Sequence, residues 1–484
     1  MSDAAALEDG HGAAVVASLA AVFASGRTRP LRWRLGQLAA LDRFLVQEAP
    51  AIEEALARDL GRPAMETFLA EILQVRREVR TLRRGLGRWV RTQQVRVPLV
   101  LRPARSAVRH EPLGTVLVIA PWNAPINLAI APLAAALAAG NCVIVKPSEI
   151  TPRVSRLLAS TLPRYVDAEA VKVVEGGAPV VEAVIDAGVD HVFFTGNPRV
   201  GRLIMGRAAR RLTPVTLELG GKCPAIVDRE VDVAVAARRI AWGKLFNAGQ
   251  SCVAPDYVLV DRENYAALSA ELVACVRTLY GDDPFTSSDY GRIVSDSHVE
   301  RLCHLLEGHD GTVLVGGVVD RSTRYVAPTV IARPDPMSPL MQEEIFGPIL
   351  PVLPVDNLEA AIDFLRDRPA PLALYFFSED AASTARMLDA TRSGTVGLNT
   401  VMQQFASSHL PFGGIGESGT GVYHGRFGVE RLSQPRPVFS KSLRFDPARL
   451  AQPPFTRATA RLLRGVLEVA PRVAARFARG GPKS

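Results

Sequence analysis

The chain has 484 residues, of which 48% are hydrophobic, and a formal net charge of +8. That is enough apolar mass for a large core and too long for one simple domain, so two or three domains are expected. Five scattered cysteines (Cys142, Cys223, Cys252, Cys275, Cys303) exclude a disulfide framework. No Cys or His cluster has zinc spacing, so no metal is expected and a reducing cytosol fits best.

The N-terminus is acidic and lacks the basic start of a signal peptide. Residues 13–92 carry apolar side chains at helical spacing, as at Leu31, Leu35, Leu38, Leu41 and Leu45, and read as helices. Residues 94–110 are extended and partly alternating, and their two prolines demote them to an edge or bridging ribbon. Residues 113–145 lack any charge, but Pro121, Asn123, Pro125, Asn127, Pro132, Gly140 and Asn141 cut them into strand, loop, helix and strand. This is a buried parallel sheet rather than a membrane span.

Strands are predicted at Thr115–Ala120, Cys142–Val145, Val171–Val174 and His191–Phe194, with helices at 128–139, 152–162 and 179–187 between them. Such alternation makes a doubly wound α/β sheet. A second α/β segment is expected from Glu218 to about residue 408, with strands at Tyr257–Val260, Thr312–Val315 and Leu372–Phe377. Residues 446–454 read as a linker. Residues 451–484 carry seven Lys/Arg and one acid, a net +6, which leaves +2 for residues 1–450. On that count the body has no broad cationic face, and no nucleic-acid partner is expected.

On a helical wheel the tail separates Phe455, Leu462, Val466, Val469 and Val473 from Arg457, Arg461, Arg464, Glu468, Arg472 and Arg479. Pro471 would kink this helix. Residues 455–479 can either lie on an anionic membrane surface or dock on the body with their arginines in water.

Six segments carry chemistry. Cys252 follows Asn247-Ala248-Gly249-Gln250-Ser251, and Glu218 lies 34 residues upstream in Glu218-Leu219-Gly220-Gly221-Lys222. A thiol among small residues, with a carboxylate able to act as base, suits covalent catalysis, although a lone cysteine is more often a buried hydrophobe. Thr195-Gly196-Asn197-Pro198 ends a strand and opens a helix whose N–H groups can face a phosphate, and Gly201 permits close helix–sheet packing. Taken alone, the segment reads better as a plain strand-to-helix turn. Lys146-Pro147-Ser148-Glu149 lies where α/β sheets bind ligands and suits ribose hydroxyls, or is an ordinary acidic first helical turn. Asn123, in Pro121-Trp122-Asn123-Ala124, can donate to an oxyanion or simply make a turn. Glu344 and Phe346, in Glu343-Glu344-Ile345-Phe346-Gly347-Pro348, can be site residues or surface and core.

Together, and in their order along the chain, these segments resemble the aldehyde dehydrogenase superfamily. The likeness runs from about residue 58 to 435 and includes Leu410-Pro411-Phe412-Gly413-Gly414. Ala254-Pro255-Asp256-Tyr257 and Gly419-Thr420-Gly421-Val422-Tyr423-His424-Gly425 resemble the class 3 branch, with its fatty, aromatic and coniferyl-type enzymes.

The resemblance implies a Rossmann-like cofactor domain (1–93 and 111–217), a second α/β catalytic domain (218–408) and a β bridging ribbon (94–110 and 409–440). It implies Cys252 as nucleophile, Glu218 as base, and Asn123 with the Cys252 amide as oxyanion donors. Lys146, Ser148 and Glu149 would hold the adenosine ribose, and Thr195, Gly196, Asn197 and Gly201 the dinucleotide turn. Leu219, Trp122, Glu344 and Phe346 would surround the nicotinamide half.

The implied reaction is NAD-dependent oxidation of an aromatic or medium- to long-chain aldehyde to its acid, with NADP also admitted. Glu149 should repel a 2′-phosphate. The implied assembly is a homodimer in the cytoplasm, with peripheral contact at the inner face of a membrane left open by the tail. Two alternatives stand beside it: a coenzyme-A-acylating dehydrogenase, and a catalytically idle scaffold that binds a membrane or partner.

Overall fold

The computed structural model describes residues 3–98, 101–444, 449, 452–454 and 456–465, with side chains from residue 12 onward. The fold is α/β, with a Rossmann-like sheet, a second α/β sheet and a small bridging β-sheet.

Five parallel strands make the first sheet, and each predicted strand falls within one or two residues of its place. They are Thr115–Ile119, Cys142–Lys146, Val171–Val173, His191–Gly196 and Val215–Leu219. The first two are wholly buried, which is why they read as unbroken apolar runs. The helix Asn127–Ala139 is buried on every side and tolerates Pro132 within it. The strand Val215–Leu219 escaped the sequence reading, because Glu218 interrupts its apolar run. It pairs in parallel with His191–Gly196, and Gly419–Thr420 adds an antiparallel edge opposite Glu218 and Leu217.

The second sheet has seven strands, mixed by one antiparallel edge strand, Thr312–Val315. At its centre Pro224–Val227 pairs with Tyr257–Asp261 and with Ala373–Phe377. The Glu218 motif leads into the first of these strands and the Cys252 motif into the second. Chain order therefore delivers both to the same ends of neighbouring strands.

The N-terminal region is helical as expected, with one irregularity: Phe68–Leu73 forms a π-helical turn that opens into the helix Gln74–Trp89. Arg77, Arg80, Arg83 and Arg84 lie exposed on that helix, while Val75, Val79, Leu82 and Leu86 are buried. These four arginines give the helix a local cationic side that the net +2 of residues 1–450 does not reveal. Net charge over a segment averages away a face on which arginines recur every three or four residues.

The smaller unit comprises residues 88–111 and 433 onward. Its three strands are Gln93–Val95, Ala104–Pro112 and the long, mostly exposed Ser433–Lys441. Arg436 pairs with Glu111 across them at 3.2 Å. Residues 457–465 are helical, with Leu462 53% exposed. Phe455, Val466, Glu468, Val469, Pro471, Arg472, Val473 and Arg479 lie outside the described residues, as does most of the expected linker. Among the described residues no helix is long and apolar enough to cross a membrane.

Candidate active site

The nucleophile segment is shaped by backbone that few sequences accept. Asn247, Ala248 and Gly249 all take left-handed φ values, 54°, 51° and 74°. A Cβ on Gly249 would stand 2.2 Å from the Gly347 carbonyl, so only glycine fits. Gln250 then fastens the turn. Its amide donates to the carbonyls of Asn247 and Arg292, both at 3.0 Å, and its oxygen accepts from Val294 N–H at 3.0 Å. The loop thus presents Cys252 half-buried at the floor of a cleft.

Arg62 and Glu71, which the sequence reading did not single out, join this loop to the Asn123 turn. Their ion pair is almost wholly buried, with 1% and 0% of the side chains exposed. Arg62 donates to the Asn123 carbonyl and, at 3.0 Å, to Asn247 Oδ1. Glu71 accepts the N–H groups of Ile126 (3.1 Å) and Asn127 (2.7 Å) at the start of the buried helix. Asn247 Nδ2 closes the set by donating to the Asn123 carbonyl at 3.1 Å. The only signal in sequence was two charges in an otherwise amphipathic pattern. Nothing local ties them to a turn about 60 residues later.

Asn123 is 7% exposed, and its side-chain amide donates to the Gln250 carbonyl at 3.2 Å. It is more than a free turn residue, because both its backbone and its side chain lock the turn to the nucleophile loop. Cys252, Glu218 and Asn123 line one chamber.

Burial above all pushes the Cys252 thiol up to about 12; the carboxylates of Glu344 and Glu218 add to this, and the N–H groups of Cys252 and Val253 oppose it. Glu218 is 3% exposed, and neither carboxylate oxygen has a hydrogen-bond partner among the described residues. Burial alone holds its carboxyl well above the usual range. A buried, unpartnered carboxyl is costly, and such cost is commonly kept at functional sites.

The chamber has two mouths. One side opens into a cleft of about 1620 Å³. It is lined by Trp122, Lys146, Ser148, Glu149, Thr195, Gly196, Asn197, Leu219, Glu344 and Phe346. Lys146 pairs with Glu149 there, and Ser148 Oγ accepts from Ile150 N–H at 3.3 Å. Thr195 Oγ1 is buried without a partner among the described residues. Asn197 spends its side-chain oxygen on capping the helix Pro198–Ala209, accepting Val200 N–H at 2.9 Å. Gly201 does not line the cleft; a Cβ there would stand 3.0 Å from Leu219, so its part is close helix–sheet packing. Phe346, at φ 44°, meets Trp122 edge-on with centroids 5.3 Å apart. Glu344 lies over Gly220, where a Cβ would come within 2.4 Å of its carboxylate. Burial and then Asp256 raise Glu344 to about 7, opposed by Gly221 N–H, Lys222 and Arg301.

The other side is narrow and mainly apolar, walled by Ala124, Leu128, Phe246, Leu372, Met402, Phe405, Phe412 and Tyr423. A second thiol lies close by: Cys223 donates to the Cys252 carbonyl at 3.3 Å.

A half-buried thiol, an unpartnered carboxyl and an amide meet between a polar cleft and an apolar channel. The aldehyde dehydrogenase family profile matches residues 4–438. The chain belongs to the aldehyde dehydrogenase family. Human aldehyde dehydrogenase family 3 member B1 is similar to it at 45% identity, over 87% of this chain and 89% of that protein. The dimeric NADP-preferring aldehyde dehydrogenase of Rattus norvegicus is similar at 43%, over 89% and 95%. Among solved structures, substrate-bound AldH of Staphylococcus aureus superposes with a TM-score of 0.90 at 38% identity, covering 94% of this chain and 98% of that one. The chain is thus an aldehyde-oxidising enzyme of the class 3 kind that works through a catalytic cysteine.

Proposed function

We propose that this dehydrogenase oxidises an apolar aldehyde, aromatic or medium- to long-chain aliphatic, to the carboxylic acid with NAD(P), through a thioester on Cys252. The observation that carries the reading is the chamber itself, where Cys252, Glu218 and Asn123 converge between an apolar channel and a polar cleft. The cleft suits a dinucleotide: Lys146 and Glu149 can take ribose hydroxyls, and Thr195 offers a buried hydroxyl that lacks a partner among the described residues. Ser148, Gly196 and Asn197 complete that half, while Gly201 supports the turn from behind. Trp122, Leu219, Glu344 and Phe346 flank the nicotinamide half. NAD(P), when bound, supplies the hydride acceptor.

The chain's own residues do the rest. Cys252 Sγ, its proton lost to solvent, bonds to the aldehyde carbon as the carbonyl π electrons move onto the oxygen. Asn123 Nδ2 turns from the Gln250 carbonyl to the oxygen that gains charge, with the Cys252 N–H as second donor. After oxidation Glu218 takes a proton from water, the hydroxyl adds to the thioester carbon, and Cys252 leaves as the acid is released. Glu218 needs its raised affinity for protons to act as a base on water near neutral pH. A coenzyme-A-acylating enzyme would not need a base for water, so Glu218 argues against that alternative.

Residues 1–93 and 111–217 are assigned to cofactor binding, 218–408 to catalysis, 94–110 with 409–440 to bridging, and 451–484 to a basic tail. The exposed strand Ser433–Lys441 and the dimeric state in the name of the rat relative support a homodimer. Glu149 beside Lys146 favours NAD, while that relative's NADP preference keeps NADP in the reading. Arg457, Arg461 and Arg464 on the helix 457–465, with exposed Leu462, support peripheral membrane contact by the tail of a cytoplasmic enzyme.

The test is aldehyde-dependent formation of reduced cofactor, followed at about 340 nm with and without coenzyme A. Turnover without coenzyme A is expected, with acid as product. Turnover only with coenzyme A would support the acylating reading, and none at all the scaffold.

A further inference from the structure

The helices Leu31–Gln47 and Gln74–Trp89 lie side by side. Arg76 Nε meets Asp42 at 2.8 Å, and a Cβ on Gly87 would stand 3.7 Å from Leu31. Their buried faces carry Leu38, Leu41, Leu45, Val75, Val79 and Leu82. Their outer faces carry six exposed arginines: Arg32 and Arg43 on one, Arg77, Arg80, Arg83 and Arg84 on the other. Asp42 is the sole acid of the first helix, and Arg76 already neutralises it. Glu78 is the sole acid of the second, and it is buried, accepting Gly425 N–H at 2.6 Å. Among the described residues none of the six arginines forms an ion pair, and none lines the active-site cleft or chamber. Exposed arginines that form no ion pair repel one another, so a face of this kind is stabilised by an anionic counterpart.

We infer that this two-helix face docks the enzyme on an anionic lipid surface. Two features favour a bilayer. Leu31 (39% exposed) and Val46 (47%) stand among the arginines, and aliphatic side chains suit the headgroup boundary better than a nucleic-acid backbone. The arginines are spread along two helices, as attraction to a charged plane requires. This face is separate from the tail and does not depend on the aldehyde assignment.

The test uses the full chain with all four of Arg77, Arg80, Arg83 and Arg84 changed to Gln. Sedimentation with vesicles of phosphatidylglycerol and phosphatidylcholine, against phosphatidylcholine alone, gives the affinity. Each arginine near an anionic surface is worth on the order of fivefold, so the variant should bind at least about a hundredfold more weakly. The four-lysine counterpart should keep most of the binding, because the attraction is between charges. Turnover of a small soluble aldehyde should be unchanged, which separates this proposal from the active-site reading. Three results would overturn it: no binding of the wild type to anionic vesicles at low salt, binding by the Gln variant within threefold of wild type, or binding to duplex RNA with vesicles ignored.

Discussion

Arg62→Met should damage both stability and catalysis, and the structure separates the two. The substitution keeps length and apolar bulk but removes three donations, to Glu71, to Asn247 Oδ1 and to the Asn123 carbonyl. Glu71 would be left charged in a pocket where its side chain is 0% exposed. Breaking a buried pair from one side costs about 3–5 kcal/mol. Over a cooperative unit of roughly 400 residues that lowers Tm by about 4–6 °C. Differential scanning calorimetry measures it. The turnover number should fall by about 10²-fold, the scale of a small misplacement of reacting groups.

Adding Glu71→Gln to Arg62→Met removes the stranded charge and still offers an oxygen to Ile126 and Asn127. Tm should then recover by at least half. The turnover number should not recover, because Asn123 and Asn247 still lack their shared donor. A Tm within 1 °C of wild type for the single variant, or full catalytic recovery in the double, would refute the reasoning.

Cys252→Ala should abolish turnover and leave NAD affinity, read by quenching of tryptophan fluorescence, within about threefold, since no cofactor contact is assigned to the thiol. Asn123→Ala should lower the turnover number by about 10²-fold, as for loss of one oxyanion donor. A change only in cofactor affinity would assign Asn123 to orienting the nicotinamide. Alkylation of Cys252 by iodoacetamide, without cofactor, should quicken about tenfold per pH unit from 7 to 10 with no plateau, because the thiol titrates near 12. Glu344→Gln should speed that alkylation at fixed pH, since the Glu344 carboxylate is the largest charge raising the thiol after burial itself.

Much of this was legible in the sequence, for identifiable reasons. Strands such as Cys142–Lys146 are buried on both faces and so read as plain apolar runs. Cys252, Glu218 and Asn123 sit in short motifs whose residue types are constrained by the chemistry. What stayed hidden depends on distance along the chain or on direction in space. The strand Val215–Leu219 was masked by its own functional carboxylate, Glu218. Arg62 and Glu71 look like surface charges until the fold brings Asn123 and Asn247 against them. The cationic helix face vanished into a net charge summed over 450 residues, because composition counts charges and not the side on which they stand. The left-handed φ of Asn247 and Ala248 has no local signature beyond the Gly249 that follows.

The central claim is that Cys252 carries the acyl group and Glu218 releases it. Rapid quenching of Glu218→Gln after mixing with NAD and a medium-chain aldehyde tests it most directly. Mass spectrometry of the peptide bearing Cys252 should show the added acyl group, with reduced cofactor formed in a burst of about one equivalent, because oxidation precedes deacylation. A burst without an adduct, or an adduct on Cys223 instead, would contradict the account.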